Sequence, residues 1–198
     1  MGRRDDSGPI SPEIGPSALG EVLLAPEEAE ASAGPGTKAA VLLALYGWPE
    51  KPGLILTERR ADLRRHAGEI SFPGGRQDPG DADLVVTALR EAEEEIALDP
   101  KVVELSGALP AVSTFVTNYR VHPFVGLVPD PLELGLEPNP SEVETVLTIS
   151  LESLRSAYEM RRLVRRGVPI RTPTYEVEGQ LIWGATARIL GDFLERVG

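Results

Sequence analysis

Several acidic side chains fall close together between positions 90 and 95 of this 198-residue chain, in the segment REAEEE. Three of them, Glu91, Glu94 and Glu95, are spaced so that a helix would bring them close together. Carboxylate oxygens are the ligands that Mg²⁺ and Mn²⁺ prefer in proteins. The residue types and their spacing therefore predict a divalent-cation site built from these three glutamates.

The glutamates belong to a predicted amphipathic helix. Its apolar residues recur at three- and four-residue intervals: Leu84, Val85, Ala88, Leu89, Ala92 and Ile96. At about 100° per residue, Glu95 falls within this apolar arc, Glu91 lies just beyond its edge, and Glu94 lies next to them. A carboxylate that faces a core is costly unless it is protonated, paired with a cation such as Arg90, or bound to a metal.

A glycine-rich turn precedes this helix. Gly74 and Gly75 follow a β-prone segment, and a second break before the helix offers Asp81 or Asp83 as a cap. Glycine lets a backbone approach a phosphate or present a carbonyl to a metal. Taken alone, the run EAEEE is typical of a solvated helix face. The adjacent glycine turn favours a metal and phosphate site instead.

These residues carry a resemblance to a known family. Gly75 together with residues 90–95 resembles the signature box of the Nudix hydrolases. The upstream segment LTERRADLRRHAGEISFPGG, residues 56–75, is similar to the extended motif of the coenzyme A diphosphatase branch, and residues 182–190 resemble its C-terminal segment. The likeness implies a Nudix-type α/β/α sandwich around a mixed β-sheet. The pattern by itself supports only an α/β or α+β fold.

The resemblance also implies a site and a reaction. Its catalytic residues would be Arg90, Glu91, Glu94 and Glu95, and the three glutamates would hold Mg²⁺ or Mn²⁺. Its substrate-binding residues would be Arg59, His66, Gly74 and Gly75. Arg90 would orient the glutamates, and the glycine backbone would complete a phosphate cradle. The reaction implied is hydrolysis of the diphosphate of coenzyme A into 3′,5′-ADP and 4′-phosphopantetheine.

Several alternatives stay open at this point. The substrate is alternatively ADP-ribose, a dinucleotide polyphosphate or an oxidised nucleotide, and a non-catalytic nucleotide sensor is a further reading. The general base is either a helix glutamate or a loop acid such as Glu142 or Glu144. Four residues depart from the family pattern: Asp81 replaces a Glu with shifted spacing, Glu69 replaces a Gln, Arg60 stands where a Ser is common, and Ala97 replaces a Gly.

Charge limits the classes of partner. The net charge of −11 argues against nucleic-acid binding, which relies on Lys and Arg. Between Arg76 and Asp99 there are eight acidic and two basic residues, so an anionic substrate needs a cation to bind there. A basic cluster, Arg59, Arg60, Arg64 and Arg65, is a candidate for contacting a 3′-phosphate. A second basic stretch is predicted on a helix: Arg161, Arg162, Arg165 and Arg166.

Other sequence features limit the possible kinds of site and the expected cellular location. The chain has no cysteine, which excludes disulfides and thiolate metal sites. No apolar stretch approaches the length of a membrane span, and the N-terminal residues lack the apolar run of a secretory signal, so we expect a cytoplasmic protein. The partner we expect is a small-molecule substrate, and a homodimer stays open.

The chain is expected to form one catalytic domain over residues 38–198. Residues 1–37 are rich in Gly, Pro, Ser and Ala and are predicted to be a flexible segment with a short helix near residues 18–24, so truncation to about Gly36 should be harmless. The predicted strands are 38–46, 53–57, 103–117, 121–128, 143–149 and 174–177. Besides the acidic helix, the predicted helices are 151–166 and 185–197.

Overall fold

The computed structural model describes residues 16–31, 34–63, 68–114, 118–165 and 168–198. The helices are Pro16–Val22 (α1), Pro26–Ala31 (α2), Leu84–Ile96 (α3), Leu151–Ser156 (α4) and Gly184–Arg196 (α5), with short 3₁₀ helices at Pro100–Val102 and Pro131–Glu133. The strands are Thr37–Tyr46 (β1), Gly53–Arg59 (β2), Ile70–Ser71 (β3), Gly74–Arg76 (β4), Glu104–Ala108 (β5), Val112–Ser113 (β6), Tyr119–Leu127 (β7), Val143–Ser150 (β8), Tyr158–Arg165 (β9), Val168–Val177 (β10) and Gln180–Ile182 (β11). None of these helices is long and apolar enough to cross a bilayer.

The main sheet is mixed, as predicted. Its central strands follow the order β3-β2-β1-β7-β5, while β4 also pairs with β1, β6 with β7, and β8 with β2. Strands β1 and β7 run parallel, and the predicted hairpin of β1 and β2 is antiparallel, with Ala44 opposite Ile55. A second sheet has the order β11-β10-β9.

Helices cover both faces of the main sheet. Successive residues of a strand point to opposite faces, so Leu42 and Leu43 of β1 belong to two separate apolar clusters. The cluster with Leu42 contains the apolar stripe of α3, whereas the cluster with Leu43 contains residues of α5 such as Leu190 and Phe193. The predicted α+β sandwich around a mixed sheet is therefore confirmed.

The helix predicted for residues 151–166 is wrong beyond its first turns. Helix α4 ends at Ser156, and Tyr158–Arg165 is strand β9, which pairs with β10 over eight successive residues. Arg161 and Arg162 therefore do not lie on helical stripes, and residue 166 is outside the described residues. The composition of this segment suits a helix, but pairing with β10 overrides such weak local preference.

The strand predicted for residues 103–117 is also interrupted. The structure has β5 at Glu104–Ala108 and a two-residue β6 at Val112–Ser113, and residues 115–117 fall outside the described ranges. Pro110 lies between the two strands. Because proline cannot donate a ladder hydrogen bond, it is a natural break in a sheet.

Residues 16–31 pack against the domain, which differs from the flexible segment expected for 1–37. Leu19 and Leu23 join the cluster around Leu43, and Ala29 joins the cluster around Leu42. Glu30 Oε1 accepts a hydrogen bond of 3.1 Å from the backbone N–H of Leu84, the first residue of α3. Apolar burial and this cap attach the segment to the acidic helix.

We predict that Leu19→Ala lowers the free energy of unfolding by about 2 to 5 kcal/mol, because the Leu19 side chain is fully buried and its truncation leaves a cavity. Chemical denaturation measures the change. Leu132→Ala is the matched control, since Leu132 is 94% exposed and should change stability little. An equal, small effect of both substitutions would restore the view that residues 16–31 are a dispensable tail.

We also predict that Ala97→Gly stabilises the protein by about 0.5 to 1 kcal/mol, because Ala97 ends α3 in the left-handed region, with φ of 57°. Thermal unfolding monitors the shift. The control is Ala157→Gly at the end of α4, where φ is −89° and glycine offers no relief of strain. Ala157→Gly should destabilise, and a destabilising Ala97→Gly would contradict the argument.

Candidate active site

The acidic helix places one glutamate in the interior, as its periodicity predicted. Asp83 caps α3 by accepting a hydrogen bond of 2.8 Å from Val86 N–H, and the apolar stripe packs on the main sheet. This packing fixes the orientation of α3 about its axis, so that Glu95 is only 4% exposed, Glu91 is half-buried and Glu94 is exposed. The geometry thus brings carboxylates from the core to the surface along one side of the helix.

Glu95 has two partners from other segments. Its Oε2 accepts a hydrogen bond of 3.1 Å from Gly74 N–H, and its Oε1 lies 3.5 Å from Arg59 Nη1. Burial raises the pKa of Glu95 to about 7, although both partners act in the opposite direction. The cation beside Glu95 is Arg59 and not Arg90, the example expected from the sequence.

Arg90 contacts the other acids instead. It forms a bidentate pair with Asp81, at 3.0 Å from Nε to Oδ1 and 3.1 Å from Nη2 to Oδ2. It also donates to Glu91 at 3.1 Å and to Glu94 at 3.0 Å. Arg90 holds the pKa of Asp81 well below its usual range. Asp81, whose alignment with the family box was open, therefore fixes the guanidinium that contacts Glu91 and Glu94.

The predicted glycine turn contains the short strand β4, which lies against the glutamates of α3. Gly74 and Gly75 pair with Val41 and Ala40 of β1. Gly74 has φ of 152°, a region that favours glycine, and its N–H is engaged by Glu95. A Cβ atom on Gly75 would overlap with the carboxylate of Glu91. The two glycines thus leave room for the acidic side chains, and their predicted contact with substrate stays a prediction.

Arg59 connects the helix to a second source of carboxylate. Its Nη2 lies 3.5 Å from Oε2 of Glu142, which belongs to the loop before β8. One guanidinium therefore lies between Glu95 and Glu142. Glu144, the other acid considered as a base, lies on β8 and not in the loop. It is exposed, and its negative charge helps to raise the pKa of Arg60.

The donor atoms at this end of α3 suit a hard divalent cation. The carboxylates that gather here are Glu91, Glu94, Glu95 and Glu142. Burial raises the pKa of Glu91 and of Glu95, and repulsion from neighbouring carboxylates raises both further, so a cation would be stabilising. Within the described ranges, no three acidic or imidazole side chains converge to hold an ion. These glutamates contact arginines instead: Arg90 contacts Glu91 and Glu94, and Arg59 contacts Glu95.

The other predicted substrate contacts lie only partly within the described residues. His66, Arg64 and Arg65 are outside them. Arg60 is engaged by Asp62, with Nη2 and Oδ2 2.8 Å apart, and by the carbonyl of Pro140. Sequence reasoning also missed Asn139, which contacts the last turn of α3. An Asn-Pro-Ser turn directly before Glu142 is the only sign of it in the sequence.

Comparison with known proteins agrees with this geometry. Residues 36–167 match the NUDIX domain family. The chain belongs to the Nudix family. Two bacterial relatives, both named uncharacterized Nudix hydrolase NudL, from Enterobacter sp. strain 638 and Escherichia coli O1:K1, are 40% identical over 163 residues. The alignment covers 81% of this chain and 83% of each relative.

Solved Nudix structures share the fold. A MutT/nudix family protein from Enterococcus faecalis has a TM-score of 0.56 at 12% identity, covering 84% of this chain and 63% of that one. The MutT protein from Methanosarcina mazei Go1 has a TM-score of 0.50 at 18% identity, covering 81% and 91%. The protein is a Nudix hydrolase of a nucleoside diphosphate derivative, in a family that generally uses divalent metal ions.

We predict that Gly75→Ala lowers kcat/KM by about 10- to 100-fold with little change in melting temperature, because the added methyl displaces the Glu91 carboxylate. Steady-state kinetics on a diphosphate that the wild type hydrolyses measures the loss. Gly80→Ala is the matched control, because no atom lies within 4 Å of its added Cβ. Full activity of Gly75→Ala would show that the position of the Glu91 carboxylate does not matter for turnover.

Proposed function

We propose that this Nudix hydrolase cleaves the diphosphate linkage of coenzyme A or its derivatives, giving 3′,5′-ADP and 4′-phosphopantetheine. One observation carries the proposal. Residues 56–75 resemble the extended motif of the coenzyme A diphosphatase branch, and this segment supplies both Arg59 and Gly74 to the buried carboxylate of Glu95. The motif that indicates the substrate is therefore joined to the residues that would perform the chemistry.

The three glutamates of α3 are the proposed ligands of Mg²⁺ or Mn²⁺: Glu91, Glu94 and Glu95. When bound, such a cation activates water for attack and neutralises charge on the diphosphate. Arg90 keeps Glu91 and Glu94 oriented through charge-assisted hydrogen bonds, while Asp81 fixes Arg90 itself. The backbone N–H of Gly74 orients the Glu95 carboxylate through a hydrogen bond to Oε2.

We assign the proton-accepting role to Glu142 in preference to Glu144. The Glu142 carboxylate shares Arg59 with Glu95, so it faces the proposed reaction centre. It is also exposed, which leaves it accessible to a water molecule. Glu144 lies two residues further along the chain, on β8, where its charge helps to raise the pKa of Arg60, whereas Glu142 contacts Arg59.

Cationic side chains are the proposed contacts for the phosphates of the substrate. Arg59 is half-buried and pairs with two carboxylates at 3.5 Å, a loose distance that permits exchange with a phosphate oxygen. His66 and the neighbouring Arg64 and Arg65 stay proposed partners of the substrate, including its 3′-phosphate. The cytoplasmic location and a homodimer also stay predictions.

Two alternatives compete with this assignment. ADP-ribose, a dinucleotide polyphosphate or an oxidised nucleotide would use the same glutamates with different contacts to the leaving group. A non-catalytic sensor is less well supported, because Glu91, Glu94 and Glu95 are all present in α3. Substrate preference separates the first alternative from coenzyme A, and turnover separates the second.

The decisive assay incubates the protein with coenzyme A or ADP-ribose, with Mg²⁺, Mn²⁺ or a chelator, and resolves the products by ion-exchange chromatography. We expect release of 3′,5′-ADP from coenzyme A that requires metal. Cleavage of ADP-ribose alone would retain the chemistry and reject the coenzyme A assignment. Turnover of neither by folded protein that binds Mn²⁺ would reject both named substrates.

We predict that Glu95→Gln lowers turnover by about 100-fold or more while the protein remains folded, since an amide still accepts from Gly74 N–H but no longer supplies charge. Glu93→Gln on the exposed face of the same helix is the control. Both variants should show the wild-type circular dichroism spectrum. Wild-type turnover by Glu95→Gln would exclude Glu95 as a ligand.

A further inference from the structure

Asn139 ties the loop before β8 to the last turn of α3. Its backbone N–H donates to the carbonyl of Glu95 at 2.8 Å, and its side-chain Nδ2 donates to the carbonyl of Glu94 at 3.1 Å. The N–H of Glu137 donates to the carbonyl of Ile96 at 3.1 Å. Carbonyls at the end of a helix lack partners within the helix, so this loop completes the hydrogen bonding of α3.

The same asparagine also shapes the turn that carries Glu142. Its Oδ1 accepts from Ser141 N–H at 3.0 Å and from Ser141 Oγ at 2.7 Å. Its carbonyl accepts from the N–H of Glu142 at 3.0 Å and from that of Val143 at 2.9 Å. An asparagine that bonds to the backbone two residues later stabilises a turn. One residue therefore sets both the helix end and the start of β8.

These contacts form a closed ring of interactions that includes Arg59. Asn139 bonds to the backbone of Glu95, the Glu95 carboxylate contacts Arg59, and Arg59 contacts Glu142. Glu142 then returns to Asn139 through its own N–H. Both ion pairs in the ring are 3.5 Å long. Such loose pairs do not fix a geometry alone, so the shorter bonds of Asn139 determine where Glu142 lies relative to α3. The Asn139 side chain joins the carbonyl of Glu94 to Ser141, the residue before Glu142, alongside the backbone bonds.

We propose that Asn139 is a positioning residue of the active site, acting through the placement of Glu142 relative to Glu95. The inference rests on the proposed role of these carboxylates. It goes beyond that role by assigning the alignment of two separate chain segments to one neutral side chain. Its amide has both a donor, used on the helix, and an acceptor, used on the turn, and aspartate or alanine lacks this combination.

The test compares Asn139→Ala with Asp83→Ala, which removes the cap at the opposite end of the same helix. Both variants should lose thermal stability, and Asn139→Ala should lose more, since each removes a helix-terminal hydrogen bond and Asn139→Ala also removes two bonds to Ser141. Only Asn139→Ala should weaken Mn²⁺ binding, by about tenfold or more, because its side chain holds the backbone of Glu94, a proposed ligand. At saturating Mn²⁺ it should also lower kcat by about tenfold or more, because Glu142 is displaced, with KM nearly unchanged. Mn²⁺ affinity is measured by electron paramagnetic resonance and does not require a substrate.

A double-mutant cycle tests the route through Glu142. In a Glu142→Gln background and at saturating Mn²⁺, Asn139→Ala should change kcat by no more than about twofold, because the group it positions is already disabled. Independent, multiplicative losses would overturn this route. Wild-type Mn²⁺ affinity and kcat in Asn139→Ala, despite a lower melting temperature, would reduce Asn139 to a helix cap.

The Mn²⁺ measurement keeps the two proposals distinguishable. If the wild type hydrolyses neither coenzyme A nor ADP-ribose, the proposed substrate fails, yet a selective loss of Mn²⁺ affinity in Asn139→Ala still supports the positioning role. If coenzyme A is hydrolysed and Asn139→Ala behaves like Asp83→Ala, the function stands and the inference about Asn139 fails.

Discussion

The burial of one carboxylate constrains this whole structure. Glu95 lies on the apolar side of α3, where an unpaired charge would be strongly destabilising. Its partners come from β2 and β4, which are distant from the helix in sequence. The main sheet must therefore bring three chain segments to one point before the carboxylate can be accommodated. The groups that stabilise Glu95 also belong to the proposed metal and substrate site.

The acidic helix is held at both ends by segments outside it. At its N-terminus, Asp83 and Glu30 accept from its first N–H groups, and Glu30 belongs to a segment upstream of the matched family region. At its C-terminus, the loop with Asn139 supplies donors to the last carbonyls. The rotation of the helix is set by its apolar stripe, which packs in the core, and a rotation of one residue would move Glu95 out of the interior.

Arginines have two separate tasks in this site. Arg90 forms a bidentate pair with Asp81 and reaches Glu91 and Glu94 on the surface side of α3. Arg59 serves the buried side, between α3 and the loop before β8. The short, bidentate contact suits a fixed structural role, whereas the longer contacts of Arg59 suit a cation that exchanges partners when a phosphate binds. The difference follows from geometry, since both are guanidinium groups.

The sequence by itself determined the acidic helix, its rotation, the hairpin of β1 and β2 and the family, because these depend on local periodicity and short-range spacing. Only the tertiary structure decided that Arg59 and not Arg90 pairs with Glu95, and that residues 158–165 form a strand. Both outcomes depend on contacts between residues far apart in the chain. Local preferences are worth fractions of a kcal/mol per residue, roughly, so long-range pairing and burial override them.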